Sequence, residues 1–236
     1  ARLDRTRRRG SAEPPLLRRN LRLTAGIERE QLRGTHRKTR QPVVKGIRAN
    51  LPTILLLVSV LFSVIIARAI YSPLLPSIER DLRLNHTQAT SFFLIMTLGY
   101  VTMNLFSGYV ASRIGHRSTI FAAVMLVSSS TVFVALSSSP AVMRVGLVLV
   151  GVGAGLYPPS GIATVSSLVE SRDEGKVLSI HEIGPNLGFI AAPLIVALLL
   201  PRLQWRGCLL FIAALGFLLG ISFILLGRGG RFKGEA

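Results

Sequence analysis

Arg68 poses the sharpest chemical question in this chain. It follows the apolar stretch VSVLFSVIIA, residues 58–67, and a guanidinium held in hydrocarbon costs about 2.5 kcal/mol or more. A planar, permanently charged fork suits carboxylate or phosphate recognition. A second reading stays open: near the outer end of its run, Arg68 can snorkel to the interface or pair with Glu79 or Asp81. His181 and Glu182 are the next group with chemical potential. Imidazole titrates near neutrality and a membrane-buried carboxyl can be raised toward it, so the two form a candidate proton-coupling pair. Their alternative is an interfacial pair answering Lys176 or loop arginines. Tyr71, Asn104 and Tyr157, together with Tyr100, set polar groups on apolar runs. They either line a cavity as substrate-binding residues or are satisfied by a neighbouring helix.

Other chemistries lack their parts. His36, His86, His116 and His181 are scattered without metal-ligand spacing, and Cys208 is the only cysteine. No Ser/His pair or paired carboxylates recur at catalytic spacing, so neither enzyme chemistry nor a metal or cofactor is expected.

The elements that must position these groups are long and apolar. Runs occupy residues 51–72, 90–111, 119–139, 142–168, 178–200 and 206–227. A helix rises ~1.5 Å per residue, so roughly 20 residues cross the ~30 Å hydrocarbon layer, and six transmembrane helices are predicted. Soluble helices would need charged faces at helical spacing, and a β-barrel would need ten-residue alternating segments; the runs have neither. Short links such as SRIGHRS, SSSP and PRLQWR make sequential helices antiparallel neighbours.

Charge sets the expected orientation. Residues 1–50 hold 15 Lys and Arg against 4 Asp and Glu, which accounts for most of the +17 net charge. This Arg-rich stretch reads as a disordered cytoplasmic tail, and Asp4, Glu13, Glu28 and Glu30 argue against a transit peptide. A pI of 11.6 would suit nucleic acid, but no nucleic-acid-binding motif accompanies it. With both ends inside, 13 Lys and Arg flank the spans on the cytoplasmic side and 5 on the outer side. The chain starts with Ala, as a fragment, a processed chain or a misplaced start codon would. Residues 51–227 form the expected bundle, and residues 228–236 read as the start of a basic cytoplasmic loop.

A weak internal echo relates the two groups of three helices. Tyr71-Ser72-Pro73 with Pro76 interrupts the first run, and Tyr157-Pro158-Pro159 interrupts the fourth. Proline frees a helical carbonyl that must face protein or a wet cavity, so paired interruptions in inverted repeats point to a binding site.

The link GYVASRIGHR, residues 108–117, carries a family resemblance. It is similar to the G-x-x-x-D-R-x-G-R-[RK] loop between the second and third helices of major facilitator superfamily transporters. Gly108, Arg113, Gly115 and Arg117 match; Ser112 replaces the Asp and His116 the next basic residue. The resemblance implies a conformational-gating loop whose Asp latches one state of the transport cycle, a charge that Ser112 does not bring. Looser likenesses run through residues 72–90, Trp205-Arg206, and the glycines at 151, 153 and 155, with Leu147 where an Arg usually falls. Gly188-x-x-x-Ala192-Pro193, followed by Val196-Ala197, resembles a thinned antiporter signature, which weakens a proton-driven drug-efflux assignment. Arg68-x7-Pro76 is similar to the first helix of organic-anion and organophosphate carriers in the superfamily, where the Arg contacts the substrate.

Taken together these imply an all-α membrane protein with six transmembrane helices as two inverted three-helix repeats, half of a twelve-helix transporter fold. The expected function is secondary active transport of a small solute, an organic anion on the strength of Arg68, by alternating access. Expected partners are the lipid bilayer, the solute and a second six-helix half, without nucleic acid; the expected location is the plasma (inner) membrane. The competing expectation is a non-transporting scaffold or degenerate transporter-like protein, which Ser112, His116, Leu147 and the thinned motif favour.

Overall fold

No charged side chain falls between Arg48 and Arg68, and this stretch forms α1, Ile47–Ala69. The fold comes from a computed structural model that describes residues 47–227. The amino-terminal tail expected through residue 50 lies outside the described residues up to residue 46, as do Arg228, Arg231 and Lys233 of the basic loop. All described elements are helical, and five segments are long and apolar enough to cross a membrane: Ile47–Leu82, His86–Ile114, His116–Ala135, Pro140–Ser166 and Ser171–Leu226.

The first segment runs further than its apolar stretch. Ile70 keeps helical dihedrals, its N–H donates to the Ile66 carbonyl, and the chain passes straight into α2, Tyr71–Leu82. Pro73 and Pro76 cannot donate to the previous turn, yet φ near −65° suits the helix, so they loosen it without ending it. Arg83 in the left-handed conformation stops α2. Asn85 and Gln88 then form a reciprocal capping box that starts α3, His86–Ile114.

Gly115 alone separates α3 from α4, His116–Ala135; its φ of 82° with ψ of 152° belongs to glycine. Ser139 accepts from the Val142 N–H and Pro140 occupies the first turn of α5, Pro140–Ser166. A 3-10 turn, Ser171–Asp173, leads to the short α6, Glu174–His181. The last helix, α7, spans Ile183–Leu226 but breaks at Gln204, where φ is 54° and ψ is 177°. Its two limbs are residues 183–203 and 205–226.

Helix pairing is set by glycines. A Cβ on Gly151 would collide with the Met96 carbonyl, and one on Gly155 with the Tyr100 carbonyl, so α5 lies directly on α3 and parallel to it. Gly153 faces the other way, onto Ala123 and Val127 of α4. Limb 183–203 runs parallel to α1, with Gly184 against Val58 and Gly188 against Ile65. Limb 205–226 runs antiparallel to α4, with Gly216 against Ser128 and Gly220 against Val124. The chain therefore reverses at Gln204. Short links did not make every sequential pair neighbours: α3 packs along α5 rather than along α4, because the small residues that allow close approach lie on α5.

Ile54, Leu57, Ile66, Leu147, Tyr157 and Leu209 sit in the centre of the bundle, fully buried. α3 and the first limb of α7 keep large apolar side chains outward, among them Leu98, Leu105, Phe106, Ile190 and Leu198.

Candidate functional site

Arg68 lines a cavity of about 630 Å³ between α1–α2, α3 and the first limb of α7. Ile65, Ala69, Ser72 and Pro73 form one wall, Phe93, Met96 and Thr97 the second, and Phe189, Ala192 and Pro193 the third. The guanidinium carbon lies 4.2 Å from the Tyr100 ring centroid, a stacked cation–π contact. Its Nε is buried without a hydrogen-bond partner.

The alternative uses of Arg68 are occupied or out of reach. Glu79 is taken by His86 Nδ1 at 2.8 Å, and Asp81 accepts from Trp205 Nε1 at 3.2 Å and from Arg206. Among the described residues no ion pair includes Arg68. Nor does it end a helix, since about four more turns follow through α2.

The other polar residues divide. Asn104, one turn beyond Tyr100, is half-buried beside Gly155 with its Oδ1 unpartnered. Tyr71 and Tyr157 are fully buried in the helix packing; neither they nor Asn104 line the cavity, and the Tyr71 hydroxyl, like Asn104 Oδ1, has no hydrogen-bond partner. Tyr157 instead donates its hydroxyl to the Leu57 carbonyl at 3.1 Å and lies 3.0 Å from His181 Nε2, with the two rings stacked at 6.0 Å. His181 is buried and Glu182 exposed, with Nδ1 and Oε1 3.6 Å apart. Lys176 pairs with Asp173 at 2.9 Å rather than with this group.

The link at 108–117 ties helix ends together. Arg117 donates to the Ile224 carbonyl at 2.6 Å, closing the carboxyl end of α7. His116 Nδ1 lies 3.3 Å from the Ser160 hydroxyl of α5. Arg113 stays exposed over Tyr109, and Ser112 turns its hydroxyl back to the Tyr109 carbonyl at 2.8 Å. Gly108 has open space where a Cβ would stand, so close helix approach there is not the reason for a glycine.

Residues that sequence reasoning passed over complete two sites. Phe93, Met96, Thr97 and Phe189 build the cavity, and an apolar run carries no mark of which face turns inward. Asp81, Trp205, Arg206 and the Ser137 carbonyl form a cluster joining α2, the break in α7 and the end of α4. The adjacent Trp205-Arg206 pair was the visible signal there, without a partner named.

Comparison with known proteins adds identity. A family model described as Major Facilitator Superfamily matches residues 57–233. Multidrug resistance protein MdtL of Escherichia coli O45:K1 is 28% identical over 153 residues, 64% of this chain and 39% of that protein. Multidrug resistance protein D of Escherichia coli K12 is 26% identical over 166 residues, 70% of this chain and 42% of that protein. The chain thus spans about two fifths of the length of these curated relatives. Among solved structures, a bacterial homolog of the human lysosomal transporter Spinster, inward-facing and occupied, gives a TM-score of 0.71 at 18% identity, over 80% of this chain and 47% of that one. A POT family transporter in complex with 5-aminolevulinic acid gives 0.68 at 17% identity, over 76% and 40%.

Proposed function

The chain belongs to the major facilitator superfamily, and from that premise we propose that it supplies the amino-terminal half of a secondary transporter moving a small organic anion by alternating access. Its membership and its long apolar helices make it an integral membrane protein of a transporter family rather than an enzyme. One observation carries the anion: a guanidinium with no carboxylate partner among the described residues lines the cavity, its Nε buried and unbonded. Such a group is costly in hydrocarbon unless something negative visits it.

The reading extends to six spans in two inverted three-helix repeats, counting the limbs of α7 separately. Support comes from pairing: exchanging the first three spans with the last three turns the α1–limb 183–203 pair into the α5–α3 pair, and both pairs are parallel. A second six-helix half is supported by the share of the relatives that the chain spans. Residues 1–50 are assigned to a cytoplasmic tail and 228–236 to a cytoplasmic loop by their basic residues, in a plasma (inner) membrane. Asn104 is kept with Arg68 as a solute-binding residue because its Oδ1 is unpartnered, although it lies one turn beyond Tyr100 and outside the Arg68 cavity. Tyr71 and Tyr157 keep those two helices in register rather than touching solute, as their burial suggests. His181 and Glu182 serve as the proton-coupling pair, and Gly108, Ser112, Arg113, Gly115 and Arg117 as the gating loop.

The test is flux in liposomes holding the full-length protein. Arg68→Ala should abolish uptake of anionic solutes; unchanged affinity and rate would remove the anion assignment. The second reading is a non-transporting scaffold, favoured by Ser112, whose hydroxyl is spent on its own helix and leaves the loop without an acidic latch. Well-folded protein that moves no anion, cation or neutral drug-like solute would select it.

A further inference from the structure

Two prolines stand on the cavity wall, each one helical turn along from a residue that shares it. Pro73 lines the cavity with Ala69, and Pro193 lines it with Phe189. Each proline lies four positions beyond its partner, so the N–H that would close the helical bond to the Ala69 or Phe189 carbonyl does not exist. The seam between α1 and α2 falls at Ile70, directly after the first of these carbonyls. Side-chain donors on the same helices are spent elsewhere: Arg80 Nε on the Pro76 carbonyl at 3.1 Å and Asn186 Nδ2 on the Glu182 carbonyl at 2.8 Å. Resting on the reading of Arg68 as an anion site, we infer that the solute carries an N–H donor, an ammonium or an amide, besides its acidic group, and that the Ala69 and Phe189 carbonyls receive it.

Helix geometry places both acceptors on the cavity face. A helical carbonyl points along the axis toward the residue four positions ahead, so one flanked by two lining residues lies between them on the same face. The two come from adjoining walls at similar height. Limb 183–203 runs parallel to α1, with Gly184 on Val58 and Gly188 on Ile65, which brings Pro193 about level with Ala69. Arg68 immediately precedes Ala69, and its guanidinium is held over the Tyr100 ring of α3. The fork for the acid and the carbonyls for the N–H therefore share one layer of the cavity.

The argument rests on groups that these helices present. A second half closing the open side adds groups of its own but cannot give Pro73 or Pro193 an N–H. A carbonyl deprived of its helical donor must find another in protein, water or ligand. Completing it with a solute N–H recovers a hydrogen bond that a plain acid leaves unmade.

Binding to the full-length protein in nanodiscs tests this with two matched series. One is propionate, alanine and N-acetylalanine; the other is 3-phenylpropionate, phenylalanine, N-acetylphenylalanine and N-acetyl-N-methylphenylalanine. Donor-bearing acids should bind about three- to tenfold tighter than the plain acid of their series, the scale of a net hydrogen bond. The N-methylated compound should fall back to the plain acid, and preference for ammonium or amide assigns the source of the N–H. Pro73→Ala and Pro193→Ala return an N–H to the helix and should each lower that ratio. Both variants should melt no lower than wild type, since each gains a helical bond. Pro140→Ala, in the first turn of α5 where no helical carbonyl lies four positions back, should leave the ratio unchanged. A plain acid that binds as tightly as its donor-bearing mates, or a ratio unmoved in both cavity-proline variants, overturns the proposal while leaving Arg68 an anion site. So does plain-acid binding that sodium raises over choline and that loses this gain in the same variants, because the carbonyls then serve a cation. No binding of any acid, or binding undiminished in Arg68→Gln, overturns the anion reading itself and this proposal with it.

Discussion

Tyr157 and His181 share a proton inventory that leaves one place open. The phenol has one proton and donates it to the Leu57 carbonyl at 3.1 Å, so its oxygen accepts from His181 Nε2 at 3.0 Å. A neutral imidazole protonated on Nε2 is bare on Nδ1, and Nδ1 has no hydrogen-bond partner, with Glu182 Oε1 3.6 Å away. A second proton on the ring would sit between Nδ1 and that carboxylate. α1 offers only a carbonyl, α5 the phenol, and Glu182 is the one charged group acting on the ring.

Tyr157→Phe should therefore destabilise the protein by about 1–3 kcal/mol, because the buried Nε2–H loses its acceptor. Thermal unfolding in detergent measures it. Glu182→Gln and His181→Gln should each flatten the pH dependence of uptake; a wild-type pH profile in both variants would remove the pair from coupling.

Arg117→Ala should loosen the carboxyl end of α7, since the bond to the Ile224 carbonyl is lost. The expected cost is about 0.5–1.5 kcal/mol. Faster amide exchange confined to the last turn of α7 and the start of α4 is the signature; an unchanged pattern would mean that the bond contributes nothing.

The packed glycines of α5 should behave unlike Gly108, which lies on an open face near the end of α3. Gly151→Ala and Gly155→Ala push a methyl into backbone carbonyls of α3, and overpacking of this kind costs about 1–3 kcal/mol. Gly108→Ala meets open space and should be neutral or slightly stabilising. Equal melting temperatures for the three variants would contradict the α3–α5 crossing.

Ser112→Asp returns the charge that the loop lacks. Exposed pairs are worth only ~0–1 kcal/mol, so folding should not change, but a small bias shifts a balanced conformational equilibrium. Labelling of single cysteines on the cavity wall, at Thr97 for instance, should change rate in this variant. Identical labelling rates would show that the loop's charge has no bearing on access.

Helicity and the apolar spans were legible because hydropathy and helix length are properties of consecutive residues. Partner choice was not. Arg68 was offered Glu79 and Asp81 as near neighbours, yet Asp81 reaches a pair more than a hundred positions away, Trp205 and Arg206. Whether Tyr157 lines a cavity or is satisfied by a neighbouring helix stays open in the sequence, because its partners Leu57 and His181 lie far away in the chain. The first span was expected to stop near residue 72, where prolines cluster, but proline is compatible with helical φ and the chain ran on to Leu82. Gln204 gave no sign of its turn, since nothing in its side chain favours a positive φ.

That residue and Gly115 have a mechanical consequence. Each joins two long helices with no intervening loop, so neither joint has slack to absorb independent sliding of the helices it connects. Forces applied to α3 pass into α4, and those on one limb of α7 into the other, through a single residue each. Among the described residues longer connections lie at residues 83–85, 136–139 and 167–173. Within residues 47–227, limited proteolysis should fall in these connections and spare both hinges, so that each hinged pair of helices moves as a lever rather than as separate rods.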